Sequence, residues 1–290
     1  MPVFRRDLVV AGASAGGVEA LRSLARALPS DFPAAVLVTM HLSPGAHSAL
    51  PQILDRAGAL PAVTATHGAP LTPGVIHVAP PDRHLLVDDG VIVLTKGPAE
   101  NGHRPAINAT FRSVAVAAGP RAVGVVLSGS LDDGALGLRS IVDRGGAAVV
   151  QDPADALYAG MPESALAQVA TEHVLPIGEI GPMLDKLVRT PWEPFPVPPA
   201  TPGLLLEDRI AHDGCRLGSR DAEFQRALGV ALRSLDEKAA LAGRLQSESV
   251  RRRHVLLVER YGSTARECNA AADTLRRFLI SLAPGGDPGP

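Results

Sequence analysis

Leu-Val-Val-Ala-Gly-Ala-Ser-Ala-Gly-Gly-Val, residues 8–18, joins an apolar run to a glycine-rich turn and the start of a helical pattern. The apolar run predicts a first strand at Leu8–Val10. Beyond the turn, apolar residues recur at helical spacing until Pro29 stops the pattern. They are Val18, Leu21, Leu24, Ala25 and Leu28. A strand, a tight turn and a helix in this order are typical of the opening of a doubly wound α/β domain.

Short apolar runs and amphipathic stretches continue to alternate up to about Val188, which predicts an α/β fold with a doubly wound, mostly parallel, Rossmann-like sheet. Further strands are predicted at Ala35–Met40, Val123–Leu127 and Ala147–Val150, and further helices at Ile107–Ala118 and Ala135–Asp143. Gly74–Ala79 and Leu85–Leu94 look like short strands, the second broken by the turn Asp88-Asp89-Gly90. We expect this insertion to sit at an edge of the sheet.

The composition changes between Arg189 and Gly203, where six prolines occur in fifteen positions. Such a segment favours an extended, polyproline-like spacer. We therefore predict an α/β domain at 1–190, a linker at 191–203 and a helical tail at 204–290.

The tail carries apolar residues at a 4-3 spacing from Phe224 to Leu245 and again from Val258 to Leu279. This spacing predicts two amphipathic helices, which we expect to form an antiparallel C-terminal hairpin. A two-helix hairpin buries little apolar surface by itself. Residues 218–281 are therefore a candidate for oligomerisation or for docking of a helical partner; the alternative is that the apolar stripe packs only within the hairpin or against the α/β domain.

Composition excludes several classes of function. The 28 Lys and Arg residues are balanced by 30 Asp and Glu, and only nine residues are aromatic, so little material is available to bind nucleic acid. The longest apolar run, Ala34–Met40, is far shorter than the roughly 20 residues that span a bilayer. The two cysteines are far apart, which argues against a disulfide framework and a cysteine zinc site. We expect a cytoplasmic protein.

The glycine-rich turn contains Gly12-Ala13-Ser14-Ala15-Gly16, a Gly-x-Ser-x-Gly sequence between a strand and a helix. This is the context of a nucleophile elbow, in which the serine hydroxyl is exposed and the N–H groups behind it face a developing oxyanion. A glycine-rich first turn also serves tight packing or phosphate binding in doubly wound domains. The pentapeptide alone does not separate these interpretations.

Two further residues strengthen the nucleophile interpretation. His41 follows the second predicted strand, and the carboxyl ends of adjacent parallel strands meet in one crevice, so its imidazole is a candidate base for Ser14. Asp132 and Asp133 follow the strand that ends near Leu127, and either carboxylate is a candidate to orient His41. Each is also a candidate N-cap of the helix that follows.

Six motifs occur in the order typical of one family. They are Gly12-Ala13-Ser14-Ala15-Gly16-Gly17 with the His41 turn, Val78-Ala79-Pro80-Pro81-Asp82-Arg83-His84, Arg104-Pro105 before Phe111-Arg112-Ser113, Leu127-Ser128-Gly129 to Asp133-Gly134-Ala135, Gln151-Asp152, and Gly160-Met161-Pro162. From Leu8 to Val188 the chain resembles the catalytic domain of the chemotaxis protein-glutamate methylesterases, the CheB family.

This resemblance implies a serine esterase that hydrolyses glutamyl methyl esters on chemoreceptors or related signalling proteins and releases methanol. Ser14 matches the nucleophile, His41 the base and Asp133 the orienting acid. Backbone N–H groups at Ala15 and Ser130 match the oxyanion hole. Neither a cofactor nor a metal is implied.

The sequence departs from the family at two places. Where the family usually has Thr-Gly-Met-Gly-x-Asp-Gly, this chain reads Ser128-Gly129-Ser130-Leu131-Asp132-Asp133-Gly134, so a leucine replaces a glycine in the turn. The chain also begins at the first catalytic strand. We therefore expect a stand-alone form that is not controlled by a receiver domain in cis.

Two alternatives belong to other classes of function. A non-catalytic module that keeps the methylesterase fold to bind receptors or a kinase is compatible with the altered Ser130-Leu131 loop. A nucleotide-binding domain is disfavoured because Ser14 replaces the second glycine of the dinucleotide fingerprint, and because the second strand ends at Met40-His41 without an acidic residue.

Overall fold

The computed structural model describes residues 4–42, 48–100, 102–193, 195–212, 232, 235–236, 238–247, 250 and 255–281. The chain divides into two compact units, Met1–Cys215 and Arg216–Pro290. Among the described residues, no helix is both long enough and apolar enough to cross a membrane.

The first unit is built on a seven-stranded parallel sheet, which confirms the predicted α/β class. Its strands are β1 (Leu8–Ala13), β2 (Ala35–Met40), β3 (Ala62–Thr64), β4 (Ile76–Val78), β7 (Ala122–Val126), β8 (Ala147–Gln151) and β9 (Val174–Leu175). They lie side by side in the order β3-β4-β2-β1-β7-β8-β9. Every residue of β1, β2 and β7 is buried, as expected for strands covered on both faces.

The insertion between the second and third predicted strands differs from the prediction. Ile76–Val78 lies inside the sheet, paired with both β2 and β3, rather than at its edge. The hairpin of β5 (His84–Asp88) and β6 (Val91–Thr95) forms a separate two-stranded antiparallel sheet. The sequence suggested the hairpin through its turn residues, but a three-residue strand carries too little periodicity to reveal its partners.

Helices cover both faces of the sheet, so the domain is doubly wound. The helices of the first unit are α1 (Gly17–Ala27), α2 (Leu50–Asp55), α3 (Ile107–Ala118), α4 (Ala135–Asp143), α5 (Gly160–Gln168), α6 (Ile177–Arg189) and α7 (Pro202–His212). One apolar core lies under α1, α2 and α6, and a second under α3, α4 and α5. The neighbouring strands β2, β1 and β7 run parallel, so their carboxyl ends lie at the same edge of the sheet.

The predicted linker at 191–203 is not a boundary between compact units, because both it and α7 pack on the α/β domain. Trp192 pairs with Phe4 through a backbone hydrogen bond of 3.0 Å. On α7, Glu207 lies 3.2 Å from the buried Arg112 of α3, and the carbonyl oxygen of Ala211 accepts a 2.6 Å hydrogen bond from Thr95. The first unit therefore continues to Cys215, and proline content alone predicted the boundary too early.

The second unit contains the two predicted tail helices in part. α8 spans Val255–Ser281, and residues 238–247 are helical. A Cβ placed on Gly262 of α8 would lie 2.5 Å from Gln246 Nε2, so these two helices lie side by side. The part of the first predicted tail helix from Phe224 to Ala231 lies outside the described residues, as do residues 248, 249 and 251–254.

The packing of α7 predicts different effects for two truncations. A chain ending at Pro198 loses the Glu207 carboxylate beside Arg112 and the Ala211 contact, whereas a chain ending at Cys215 keeps both. We expect the free energy of unfolding of the shorter form to be about 2 kcal/mol lower than that of the longer form. The loss is smaller than for a buried charge without any partner, because Arg112 still pairs with Glu100. Urea unfolding of the two forms measures this, and equal stabilities would contradict the role given to α7.

Candidate active site

Ser14 stands at the first residue after β1, in a turn that its own backbone fixes. Its N–H donates to the carbonyl oxygen of Ser128, 3.0 Å away, and its carbonyl oxygen accepts from the N–H of Gly17, the first residue of α1, at 2.8 Å. Gly16, between them, has a φ of 72°, in the left-handed region that glycine adopts without a steric penalty. The glycine-rich sequence thus makes the sharp strand-to-helix turn that an elbow requires.

The side chains of Ser14, His41 and Asp133 form one hydrogen-bonded row. Ser14 Oγ lies 3.0 Å from His41 Nδ1, and His41 Nε2 lies 2.6 Å from Asp133 Oδ2. An ionised carboxylate only accepts hydrogen bonds, so His41 carries its proton on Nε2. His41 Nδ1 therefore accepts the hydroxyl proton of Ser14. The row joins residues that follow three adjacent strands, β1, β2 and β7.

Asp133 is held in its ionised form. Its carboxylate is 3% exposed and also accepts the backbone N–H groups of Ile107 at 2.8 Å and Asn108 at 2.9 Å. Burial alone would raise the pKa of Asp133, but these hydrogen bonds and the one from His41 outweigh burial and hold the pKa below its usual range. The carboxylate is therefore ready to stabilise positive charge on His41.

Asp133 caps a helix, although not the helix that follows it in sequence. The N-cap of α4 is Gly134, which has no side chain to offer, and Asp132 contributes its carbonyl oxygen to the N–H of Ala135. Asp133 instead accepts N–H groups from the first turn of α3, whose own N-cap is Ala106. In return, Asn108 Oδ1 accepts the N–H groups of Gly134 and Gly137 at the start of α4.

The backbone N–H groups of Ala15 and Ser130, the two predicted oxyanion donors, have no hydrogen-bond acceptor among the described residues. Ala15 follows Ser14 directly. Ser130 follows Gly129, where an added Cβ would collide with Met161 Sδ and lie 3.0 Å from Ser14 Cβ. Only glycine allows the loop after β7 to approach Ser14 this closely.

Ser128 ties the loop after β7 to its neighbours. Its hydroxyl donates to the carbonyl oxygen of Ala15 at 2.8 Å and accepts the N–H of Tyr158 at 3.0 Å. Its backbone N–H donates to Gln151 Oε1 at 2.9 Å. The elbow, the loop after β7 and the loop before α5 are thereby bonded to one residue.

Leu131, the departure from the family pattern, keeps the backbone conformation suited to a glycine. Its φ is 65°, and its side chain is 74% exposed. A left-handed conformation costs a residue with a Cβ roughly 1–2 kcal/mol. Leu131 therefore occupies this turn in a strained backbone conformation. The loop holds it in place, because Ser164 Oγ donates to the carbonyl oxygen of Leu131 at 3.0 Å.

Sequence reasoning missed His103, whose ring covers the imidazole of His41. Its ring stacks on the ring of His41, with centroids 3.6 Å apart and planes 5° from parallel. Burial lowers the pKa of His103, and nearby His41 lowers it further, against a weaker opposing effect of Asp133. His103 is therefore a flat, neutral cover on His41. No local motif marks it, since it lies 62 residues from His41 in sequence.

Groups of three or more His, Cys, Asp or Glu that could hold a metal ion are absent from the described part of the chain. The hydrogen bonds that occupy His41 and Asp133 also leave neither side chain arranged as a metal ligand.

A hydrogen-bonded triad of serine, histidine and aspartate at the carboxyl edge of a doubly wound sheet has the arrangement of a serine hydrolase site. Comparison with known proteins makes the class more specific. The family model described as CheB methylesterase matches residues 9–184, more than half of the chain. The chain belongs to the CheB methylesterase family.

Individual relatives agree with this assignment. The crystal structure of the Thermotoga maritima CheB methylesterase catalytic domain is 31% identical, with a TM-score of 0.61, and the match covers 64% of this chain and 100% of that one. Protein-glutamate methylesterase/protein-glutamine glutaminase 2 of Anaeromyxobacter dehalogenans is 40% identical over 185 residues, 64% of this chain and 54% of the relative. Protein-glutamate methylesterase FrzG of Myxococcus xanthus is 38% identical over 182 residues, 62% and 54% respectively. The chain therefore spans about half the length of these curated relatives.

The hydrogen bonds of Asp133 predict a sharp difference between it and Asp132. In Asp133→Asn an amide N–H₂ must face either His41 Nε2–H or a backbone N–H of α3, because all three groups donate. We expect this variant to lose about 10⁴-fold in ester hydrolysis, and Asp132→Asn less than about tenfold. Methanol release and thermal unfolding of both variants test this. Equal rate losses with unchanged melting temperatures would contradict the assignment of Asp133.

The stacked ring predicts that shape and neutrality matter at position 103. We expect His103→Phe to keep kcat within about threefold, since a flat apolar ring can cover His41, and His103→Ala to lose about tenfold in kcat. His103→Lys should lose more, because it places a positive charge against His41. Steady-state kinetics on the three variants give the order, and an alanine variant as active as the phenylalanine variant would remove the ring's role.

Proposed function

We propose that this protein is a protein-glutamate methylesterase that hydrolyses glutamyl methyl esters on a chemoreceptor or a related signalling protein and releases methanol. The observation that carries the proposal is the bonded row from Ser14 through His41 to Asp133. Membership of the CheB methylesterase family and the printed names of the relatives support the choice of ester.

In the proposed reaction, Ser14 Oγ attacks the ester carbonyl carbon while His41 Nδ1 takes the hydroxyl proton, 3.0 Å away. The positive charge that develops on His41 is stabilised by Asp133, 2.6 Å from Nε2, and is covered by the neutral ring of His103. His41 then gives its proton to the departing methoxide, which leaves as methanol. Water, deprotonated by the same nitrogen, releases the glutamyl carboxylate from Ser14.

The oxyanion of the tetrahedral intermediate needs donors that no protein group already occupies. We assign the backbone N–H groups of Ala15, which follows Ser14 directly, and Ser130, on the loop after β7. Both donors belong to the backbone, so the exchange of the family's methionine for Ser130 leaves the donor itself in place. Each donor of this kind contributes about 10²–10³-fold to a rate.

The same row can hydrolyse a glutaminyl side-chain amide, with ammonia in place of methanol as the leaving group. The name of the Anaeromyxobacter dehalogenans relative includes protein-glutamine glutaminase, which makes this the second candidate activity. Ammonia release from a receptor fragment with glutamine at the same positions measures it in parallel with methanol release.

The alternative of a non-catalytic binding module predicts no turnover at all. We favour catalysis because Asp133 is a buried carboxylate that orients His41. A surface that only binds a partner does not require a buried charge in this position. The tail remains a candidate for oligomerisation or for docking of a receptor or kinase through residues 218–281.

Ser14→Ala tests the proposal. Alanine fits the turn, whose backbone bonds are unaffected, but lacks the nucleophile, so we expect hydrolysis of a methylated receptor fragment to fall by about 10⁴–10⁶-fold with unchanged melting temperature. Ser23→Ala, at an exposed position of α1, is the matched control and should keep full activity. Equal activity of Ser14→Ala and wild type would refute the serine mechanism, and an inactive wild type would favour the binding module.

A further inference from the structure

We propose that Leu131, Leu157 and Tyr158 form an apolar rim that binds apolar side chains of the polypeptide that carries the ester, with Leu131 as a specificity-determining residue. This inference rests on the proposed esterase function and concerns how the same site selects its substrate. The rim selects a protein segment in which apolar side chains lie next to the esterified glutamate, rather than a free methyl ester.

The rim lies on the two loops that flank Ser14. Leu131 stands two residues after Gly129, where an added Cβ would lie 3.0 Å from Ser14 Cβ. Leu157 contacts the elbow from the other loop, since a Cβ added to Gly16 would lie 3.0 Å from Leu157 Cβ and 3.1 Å from its Cδ2. Tyr158 follows, with its carbonyl oxygen accepting the N–H of Gly129 at 3.0 Å. Backbone bonds between the two loops therefore fix the rim relative to Ser14.

The exposure of the rim is unusual for side chains of this kind. Leu131 is 74% exposed, Leu157 72% and Tyr158 47%. One exposed leucine on a protein surface needs no explanation, but three large apolar side chains on two bonded loops beside a nucleophile mark an interaction site.

Leu131 makes the strongest case because folding does not account for it. Its side chain is largely exposed, and its backbone holds a left-handed conformation that glycine would adopt without strain. Relative to the family pattern Met-Gly, this chain reads Ser130-Leu131, so the bulky apolar side chain stands one residue further along the loop. The geometry places that side chain in solvent, where only a bound molecule can bury it.

The chemistry of the site decides which molecule covers the rim. Three bonds separate the ester carbonyl carbon of a glutamyl methyl ester from the substrate's main chain. When that carbon reaches Ser14 Oγ, the main chain must therefore lie across the loops that flank Ser14. Residues next to the esterified glutamate then meet Leu131, Leu157 and Tyr158. A small ester occupies the site without covering the rim.

The test compares two substrates, a methylated cytoplasmic fragment of a chemoreceptor and N-acetylglutamate γ-methyl ester. Leu131→Asn removes the apolar side chain but tolerates the left-handed conformation, and Leu131→Met keeps an apolar side chain of similar volume. Leu157→Asn probes the second loop. Val63→Asn, at a 43% exposed position on the edge strand β3, is the matched control.

We expect each of the two asparagine variants in the rim to lower the ratio of kcat/KM for the protein fragment to kcat/KM for the small ester by about tenfold, mainly through KM. Leu131→Met and Val63→Asn should leave the ratio within about twofold of wild type. An unchanged ratio in both rim variants, with wild type active on both substrates, overturns the rim while leaving the esterase intact.

Two other outcomes also count against the proposal. If Leu131→Asn lowers both rates equally, Leu131 shapes the Ser130 donor rather than the contact with substrate. If light scattering finds a wild-type dimer that either rim variant dissociates, the rim is a surface between copies of the chain. Failure of wild type to hydrolyse either ester overturns the proposed function itself, and the rim with it.

Discussion

The reciprocal capping of α3 and α4 is the interaction on which the rest of the site depends. Asp133 accepts two N–H groups at the start of α3, and Asn108 of α3 accepts two N–H groups at the start of α4. Neither helix has a side-chain cap of its own, so each start is satisfied only while the other is in place. Asp133 also accepts a hydrogen bond from the Nε2–H of His41, which links the two helix starts directly to the orientation of the imidazole.

The segment that leads into α3 is held by buried polar contacts, and these explain several motifs that are not at the reacting atoms. His84 donates from Nε2 to the carbonyl oxygen of Pro98 and accepts the N–H of Ala106 on Nδ1, just before α3. Arg112 pairs with Glu100 at 2.5 Å, and Glu100 is bonded through its backbone to His103. The position of the His103 ring over His41 therefore depends on the buried ion pair of Arg112 and Glu100.

The sequence predicts best what is decided locally. Gly12 to Gly17 specify a strand, a tight turn and a helix, and the ends of adjacent parallel strands bring Ser14 and His41 to one edge. The partners of Asp133 could not be predicted, because the helix it caps begins 26 residues before it and an aspartate before a helix normally caps that helix. His103 was also missed because it is remote in sequence from His41, the residue that it covers. The boundary at 191–203 was placed too early because proline content does not reveal whether a segment packs on the domain before it.

The departures from the family pattern fall on side chains, whereas the proposed chemistry near them uses the backbone. At Ser130 the group that matters is an N–H, and at Leu131 the loop keeps its left-handed turn, closed by the bond from Ser164. A loop fixed through its backbone can exchange exposed side chains without moving the donor beside Ser14, provided that the strain at Leu131 is borne by surrounding bonds. Recognition of substrate and stabilisation of the oxyanion can therefore vary separately on one short loop, since each uses a different part of the same residues.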